Sequence, residues 1–109
     1  MNTAVLNLDL DLMRTAAGDA SALLKALSHG DRLMLLCQLS QGEACVSDLE
    51  ASCGVYQPSL SQHLGVLRRE GLVDTRRDGK HIYYRVVNDD VMAVLQVLYQ
   101  RFCPKGDQA

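Results

Sequence analysis

Apolar side chains recur along this chain at spacings that change from helical to alternating and back, and the changes divide it into elements. Residues 3 to 17 serve two readings: Leu6, Leu8, Leu10 and Leu12 alternate with Asn7, Asp9 and Asp11 at strand period, whereas Val5, Leu8 and Leu12 share one helical face. Helix is the reading adopted. Ala20, Leu23, Leu24 and Leu27 then repeat at helical spacing up to His29-Gly30. Asp31 opens a second helix at the positive end of its dipole, with Leu33, Leu36, Cys37 and Ser40 on one face and Gly42 beyond its end. That pattern turns Cys37 inward. A short third helix starts between Cys45 and Ser47, where Ser47-Asp48-Leu49-Glu50 fits a capping box, and stops at Gly54. Pro58 suits the first turn of a fourth helix, where an N–H has no intrahelical partner to lose. Its apolar stripe is Leu60, Leu64 and Leu67 at i, i+4 and i+7, which leaves Ser59, Ser61, Gln62, His63, Arg68 and Arg69 on other faces.

After Gly71 the pattern changes to two strands, residues 72 to 77 and 81 to 87, joined across Asp78-Gly79, a strong local signal for a tight hairpin. A last helix begins near Asn88 to Asp90, carries Val91, Val94, Leu95, Leu98 and Phe102 as a stripe, and ends before Pro104, which excludes helical backbone in the residue ahead of it. The fold class is therefore mainly α with a β-hairpin wing, a winged helix-turn-helix. Residues 1–109 read as a single domain, with the helix-turn-helix at about 45–70, the wing at about 72–87 and the last helix at about 89–103.

Composition adds a constraint on assembly. A chain of 109 residues with no Trp and one Phe builds a modest core from Leu, Val, Ala and Met, so a second subunit would add useful burial. No apolar run approaches the roughly 20 residues that cross a bilayer, and no signal-like segment opens the chain, so a cytoplasmic, membrane-independent protein is expected. In that reducing setting Cys37, Cys45, Cys53 and Cys103 are core fillers, metal ligands or redox-active thiols rather than a structural disulfide framework.

Charge sharpens the picture through its position. The formal total is -2, but residues 1 to 58 carry net -4, residues 59 to 85 net +3 and residues 86 to 109 net -1. The basic segment coincides with the fourth helix and the hairpin. Gln57, Ser59, Ser61, Gln62 and His63 are short polar groups fit to read base edges in a major groove, with Arg68 and Arg69 beside them for phosphate. Arg76, Arg77, Lys80 and His81 crowd the hairpin tip, within reach of a neighbouring phosphate or the minor groove. Separately, a charge cluster is usually a solvated face and a lone histidine usually a surface hydrogen-bonding group. Their coincidence with a Pro-started polar helix points to double-stranded DNA. An enzyme is not expected: the chain holds no Cys-x-x-Cys, and no thiol has a positioned acid-base partner in the sequence. A winged helix that binds only protein is the remaining alternative.

Leu24-Lys25-Ala26-Leu27-Ser28-His29, Arg32-Leu33, Ser59-Leu60-Ser61-Gln62-His63-Leu64, Leu67-Arg68, Glu70-Gly71-Leu72-Val73 and Gly79-Lys80-His81-Ile82-Tyr83-Tyr84 together resemble the ArsR/SmtB family of bacterial repressors over about residues 19 to 103. The resemblance implies a symmetric homodimer built from the first and last helices, bound to a partly palindromic operator until an inducer releases it. Many members sense metals through a Glu-x-Cys-Val-Cys-Asp-Leu run. Here it reads Glu43-Ala44-Cys45-Val46-Ser47-Asp48-Leu49, one thiolate where soft metals want two to four, and residues 88 to 100 hold no histidine. No metal ligand or cofactor is assigned, although a metal- or metalloid-responsive repressor using Cys45 stays as an alternative.

The dithiol, persulfide- or redox-responsive branch of the family instead places one Cys in the second helix and one near the end of the last, and Leu35-Leu36-Cys37 and Phe102-Cys103-Pro104 match it. The resemblance implies that Cys37 and Cys103 become linked by a disulfide or polysulfide, with loss of operator affinity, in response to reactive sulfur species or oxidants. A direct disulfide needs Cα atoms within about 7 Å, and inserted sulfurs relax that demand. Arg101 and Lys105 flank Cys103 and favour its thiolate, while the helix C-terminus opposes it. Cys103 is the candidate attacking sulfur and Cys37 the resolving one. On its residues alone Cys37 reads as a small buried hydrophobe, and Cys53 as core. Cys45, near a helix N-terminus, is a candidate reactive thiol.

Overall fold

A computed structural model describes residues 9–103. Helix α1 spans Leu10–Leu27, started by Asp9, whose Oδ1 accepts the N–H groups of Asp11 (2.8 Å) and Leu12 (3.2 Å). The ambiguous segment is thus helical from Leu10 and runs without a break into the Ala20–Leu27 repeat; its residues 3–8 lie outside those described. Only Ala26 and Leu27 of α1 are buried.

Helix α2 spans Gly30–Leu39 and is capped by His29, whose Nδ1 accepts the Asp31 N–H at 3.2 Å. It buries Leu35, Leu36 and Leu39. The expected Leu36-Cys37 face is therefore corrected: Cys37 is exposed. Three leucines at i, i+1 and i+4 offer more apolar area than one thiol, and the helix is rotated to bury them.

A two-residue strand not anticipated from the sequence, β1 (Ala44–Cys45), precedes α3 (Val46–Cys53). The cap of α3 also differs from expectation. Cys45, not Ser47, is the N-cap, and it is Asp48 Oδ2, not Glu50, that turns back to the Cys45 N–H (3.4 Å) and thiol (3.2 Å). Gly54 closes α3 with φ +68°, a conformation that suits glycine. Helix α4 follows at Ser59–Arg69, with Pro58 at its start.

Strands β2 (Val73–Asp78) and β3 (His81–Val86) form the hairpin, and β1 pairs with the other edge of β3, giving an antiparallel sheet in the order β1-β3-β2. Ala44 lies opposite Tyr84, and Cys45 opposite Tyr83. Asp78 pairs with His81, so the two-residue loop is Gly79-Lys80, one position later than expected, with Gly79 supplying the positive φ (+63°) that such loops require. Helix α5 spans Asp89–Phe102, capped by Asn88 Oδ1 on the Val91 N–H at 3.0 Å.

One apolar cluster joins these elements: Leu27 from α1, Leu35 and Leu36 from α2, Leu49 from α3, Leu60, Leu64 and Leu67 from α4, Leu72 and Val73, and Val91 and Leu95 from α5. Each fully buried leucine contributes about 1.5–3 kcal/mol of transfer free energy. The sheet and helices α3 and α4 are thereby fixed on a shared base.

Candidate nucleic-acid interface and thiol face

The polar side of α4 exists because its apolar side is fully used. Leu60, Leu64 and Leu67 are at most 1% exposed, and the geometry of a helix then directs Ser59, Ser61 and Gln62 outward, with Arg68 and Arg69 exposed in the last turn. Pro58 offers no side-chain cap, and Gln57 supplies one: its Oε1 accepts the Ser61 N–H at 3.0 Å. Gln57 thus steadies the start of α4, with its amide NH₂ left over for other contacts.

His63 is not among the outward groups, contrary to expectation. Its side chain is 12% exposed and faces the start of α2, with Nε2 3.8 Å from Asp31 Oδ2 and its ring centroid 4.4 Å from that of His29. Burial pulls its pKa below the ordinary histidine value. The neighbouring His29 and Arg32 act in the same direction and Asp31 against it. Arg32 itself is turned onto backbone carbonyls, donating to Ala26 (2.6 Å) and Lys25 (3.0 Å).

The wing separates its basic residues into two kinds. Arg77, Lys80 and His81 are exposed around the tip. Arg76 is held instead: its Nε donates to both carboxylate oxygens of Glu43 (3.0 and 2.9 Å), Nη2 also reaches Glu43, and the guanidinium lies 4.7 Å from the centre of the Tyr83 ring. This bidentate pair lowers the Glu43 pKa and raises that of Arg76. Glu43 is distant in the chain, so its pairing with Arg76 was not legible from residue spacing.

The second candidate region is a cavity of about 910 Å³ lined by α2, α3 and α5, including Leu33, Met34, Cys37, Cys53, Leu95 and Tyr99. Cys37 opens onto it. Cys53, expected in the core, is half-buried on its wall, with Sγ 3.8 Å from the Met34 carbonyl. Although exposed overall, the Cys37 thiol is partly desolvated on the cavity wall, which pushes its pKa above the usual value, and the Cys103 and then the Cys53 sulfur add to the rise. Cys103 is half-buried where α5 ends, its N–H bonded to the Tyr99 carbonyl at 3.0 Å. Cys45 lies elsewhere, buried at the start of α3 with Asp48 and Ser47. All four cysteines are free thiols.

A short helix, a second helix with a free polar face and a basic hairpin beside it define a winged helix-turn-helix DNA-binding regulator. Residues 29–75 match the bacterial regulatory protein, arsR family. The biofilm growth-associated repressor of Agrobacterium fabrum is 49% identical over 94 residues, covering 86% of this chain and 80% of that protein. The crystal structure of the transcriptional repressor BigR from Xylella fastidiosa superposes with a TM-score of 0.81 at 44% identity, over 89% of this chain and 99% of that one. Reduced HlyU from Vibrio cholerae superposes with a TM-score of 0.80 at 36% identity, over 84% and 97%. This chain belongs to the ArsR family of transcriptional regulators and is not an enzyme. Among its described residues, no helix is long and apolar enough to cross a membrane.

Proposed function

We propose that this chain is a homodimeric, operator-binding repressor whose affinity for DNA falls when Cys37 and Cys103 are joined by a disulfide or polysulfide. The observation that carries the reading is placement: Cys37 lines the cavity between α2, α3 and α5, and Cys103, 66 positions further on, stands where α5, one wall of that cavity, ends. In keeping with it, desolvation raises the Cys37 pKa and the Cys103 sulfur adds to the rise. Cys37 lies on α2, which packs into the core beneath α4, and Cys103 ends α5, so a covalent link would restrain the reading helix relative to the proposed dimerisation helix. The raised pKa of Cys37 disfavours its thiolate and so argues against it as the first attacking sulfur.

With a small-molecule persulfide as oxidant the chemistry balances in two steps. The Cys103 thiolate attacks the outer sulfur of the donor, and a thiol leaves, giving a Cys103 persulfide. Cys37 then attacks the inner sulfur of that persulfide, the S–S bond breaks, and hydrogen sulfide carries away the electron pair and the protons. If Cys37 is first persulfidated as well, the same attack leaves a trisulfide.

The test is intact mass and operator affinity measured before and after exposure to glutathione persulfide. The expected product has lost two hydrogens, with or without added sulfur atoms, and binds operator more weakly. Cys37→Ser and Cys103→Ser each abolish cross-link and release, while Cys53→Ser leaves both intact. Release that follows added zinc, cadmium or arsenite and survives Cys103→Ser would overturn the reading in favour of a metal-responsive repressor.

A further inference from the structure

Two imidazoles and a carboxylate converge where α2 begins against the middle of α4. His29, Asp31 and His63 each offer one ligand atom, and the three atoms lie within 4.8 Å of one another. The chain gives no hint of this grouping, because His63 is 32 residues beyond Asp31 and reads as a solvent-facing group of the fourth helix. The separation of His63 Nε2 and Asp31 Oδ2 is 3.8 Å. Ligands on a tetrahedral zinc ion with bonds of about 2.0–2.1 Å stand roughly 3.3 Å apart, so the three atoms would have to draw together by at most about 1.5 Å to share an ion.

We propose that His29, Asp31 and His63 bind a divalent cation of borderline softness, such as zinc, cobalt or nickel, with water completing the coordination. Two imidazoles and one carboxylate match that class. With no thiolate in the set, cadmium and trivalent arsenic are disfavoured.

Two features oppose the ion and limit its affinity. The positive end of the α2 dipole and the charge of Arg32 both repel a cation. The Asp31 carboxylate offsets the first, and the hydrogen bonds from Arg32 to the Ala26 and Lys25 carbonyls hold its guanidinium against the chain. Coordination also takes from His29 its 3.2 Å bond to the Asp31 N–H, since a ring that ligates through either nitrogen carries its proton on the other or withdraws the lone pair that caps α2. The site is separate from the thiol face and stands on the DNA-reading helix, where an ion would tie α4 to the start of α2.

The test is titration of the reduced, metal-free protein with cobalt(II), followed by visible and near-ultraviolet absorption. The expected result is saturable binding with the d–d bands of nitrogen and oxygen ligands and without thiolate-to-cobalt charge transfer. His63→Gln should weaken it by more than about tenfold, the low end of the cost of losing even a supporting partner of a metal ligand. His29→Asn removes a ligand but keeps a good N-cap, so it should weaken cobalt binding while leaving the helical circular dichroism unchanged. Cys37→Ser and Cys103→Ser should bind cobalt as the parent does. Absence of saturable binding, a thiolate charge-transfer band that accounts for the bound metal, or unaltered affinity in His29→Asn would overturn the proposal.

Discussion

Two regions of this molecule use their apolar residues differently. In α4 the leucines at 60, 64 and 67 are sealed inside one subunit and only polar groups face out. In α1 and α5 much of the apolar surface remains uncovered: Leu10 is 71% exposed, Leu12 72% and Phe102 79%, with Val97 also exposed. The reading helix is thus covered within one chain, whereas α1 and α5 leave apolar side chains uncovered. Apolar surface of this extent on α1 and α5 is what the proposed homodimer would bury.

The largest effect expected is on the covered helix. Leu64→Ala should cost about 2–5 kcal/mol, because the deleted atoms leave a cavity among helices that do not collapse into it. Urea unfolding checks this, and a loss under about 1 kcal/mol would mean that α4 does not rest on the core as described. In the uncovered region, Val97→Asp with Phe102→Asp should leave the fold intact but halve the mass seen in sedimentation. Operator affinity should then drop by at least about tenfold, because the two half-sites would no longer be read by one particle. A double variant that still sediments as a dimer would place the subunit contact elsewhere.

The smallest effect concerns His63 and pH. Its pKa in the fold lies below the ordinary value of 6.5, so the folded state binds the proton less readily than the unfolded chain does. This contribution to stability is present in full above about pH 6.5 and is lost as pH falls below it, until the folded-state value is reached. In chelator-treated buffer the urea midpoint should decline across that window, and His63→Gln should flatten the decline. An unchanged slope in the variant would assign it to other groups.

Much of this architecture is legible along the chain because it is local. The i, i+4, i+7 leucines of α4, the Asn88 cap and the glycine of the hairpin loop all report on residues within a few positions of one another. What escapes is set by contacts distant in sequence. The outward turn of Cys37 depends on which three of the α2 leucines the other helices bury, and the inward turn of His63 on where α2 begins in space. Strand β1 is two residues long, too short to show an alternation, and it forms only because β3 leaves an edge free beside it. Of the candidate reading groups, Ser59, Ser61, Gln62, Arg77 and Lys80 are exposed as the pattern implies. His63 and Arg76 are engaged within the protein.

That short strand changes the mechanics of the hairpin. Cys45 is at once the last residue of β1 and the N-cap of α3, and Glu43 just ahead of it grips Arg76 across the sheet. The wing is consequently bolted to the helix-turn-helix at its root rather than swinging from two tethers. Tilting it by contact with a backbone phosphate would pry on α3, so the two grips on a duplex should engage and let go as one bracket.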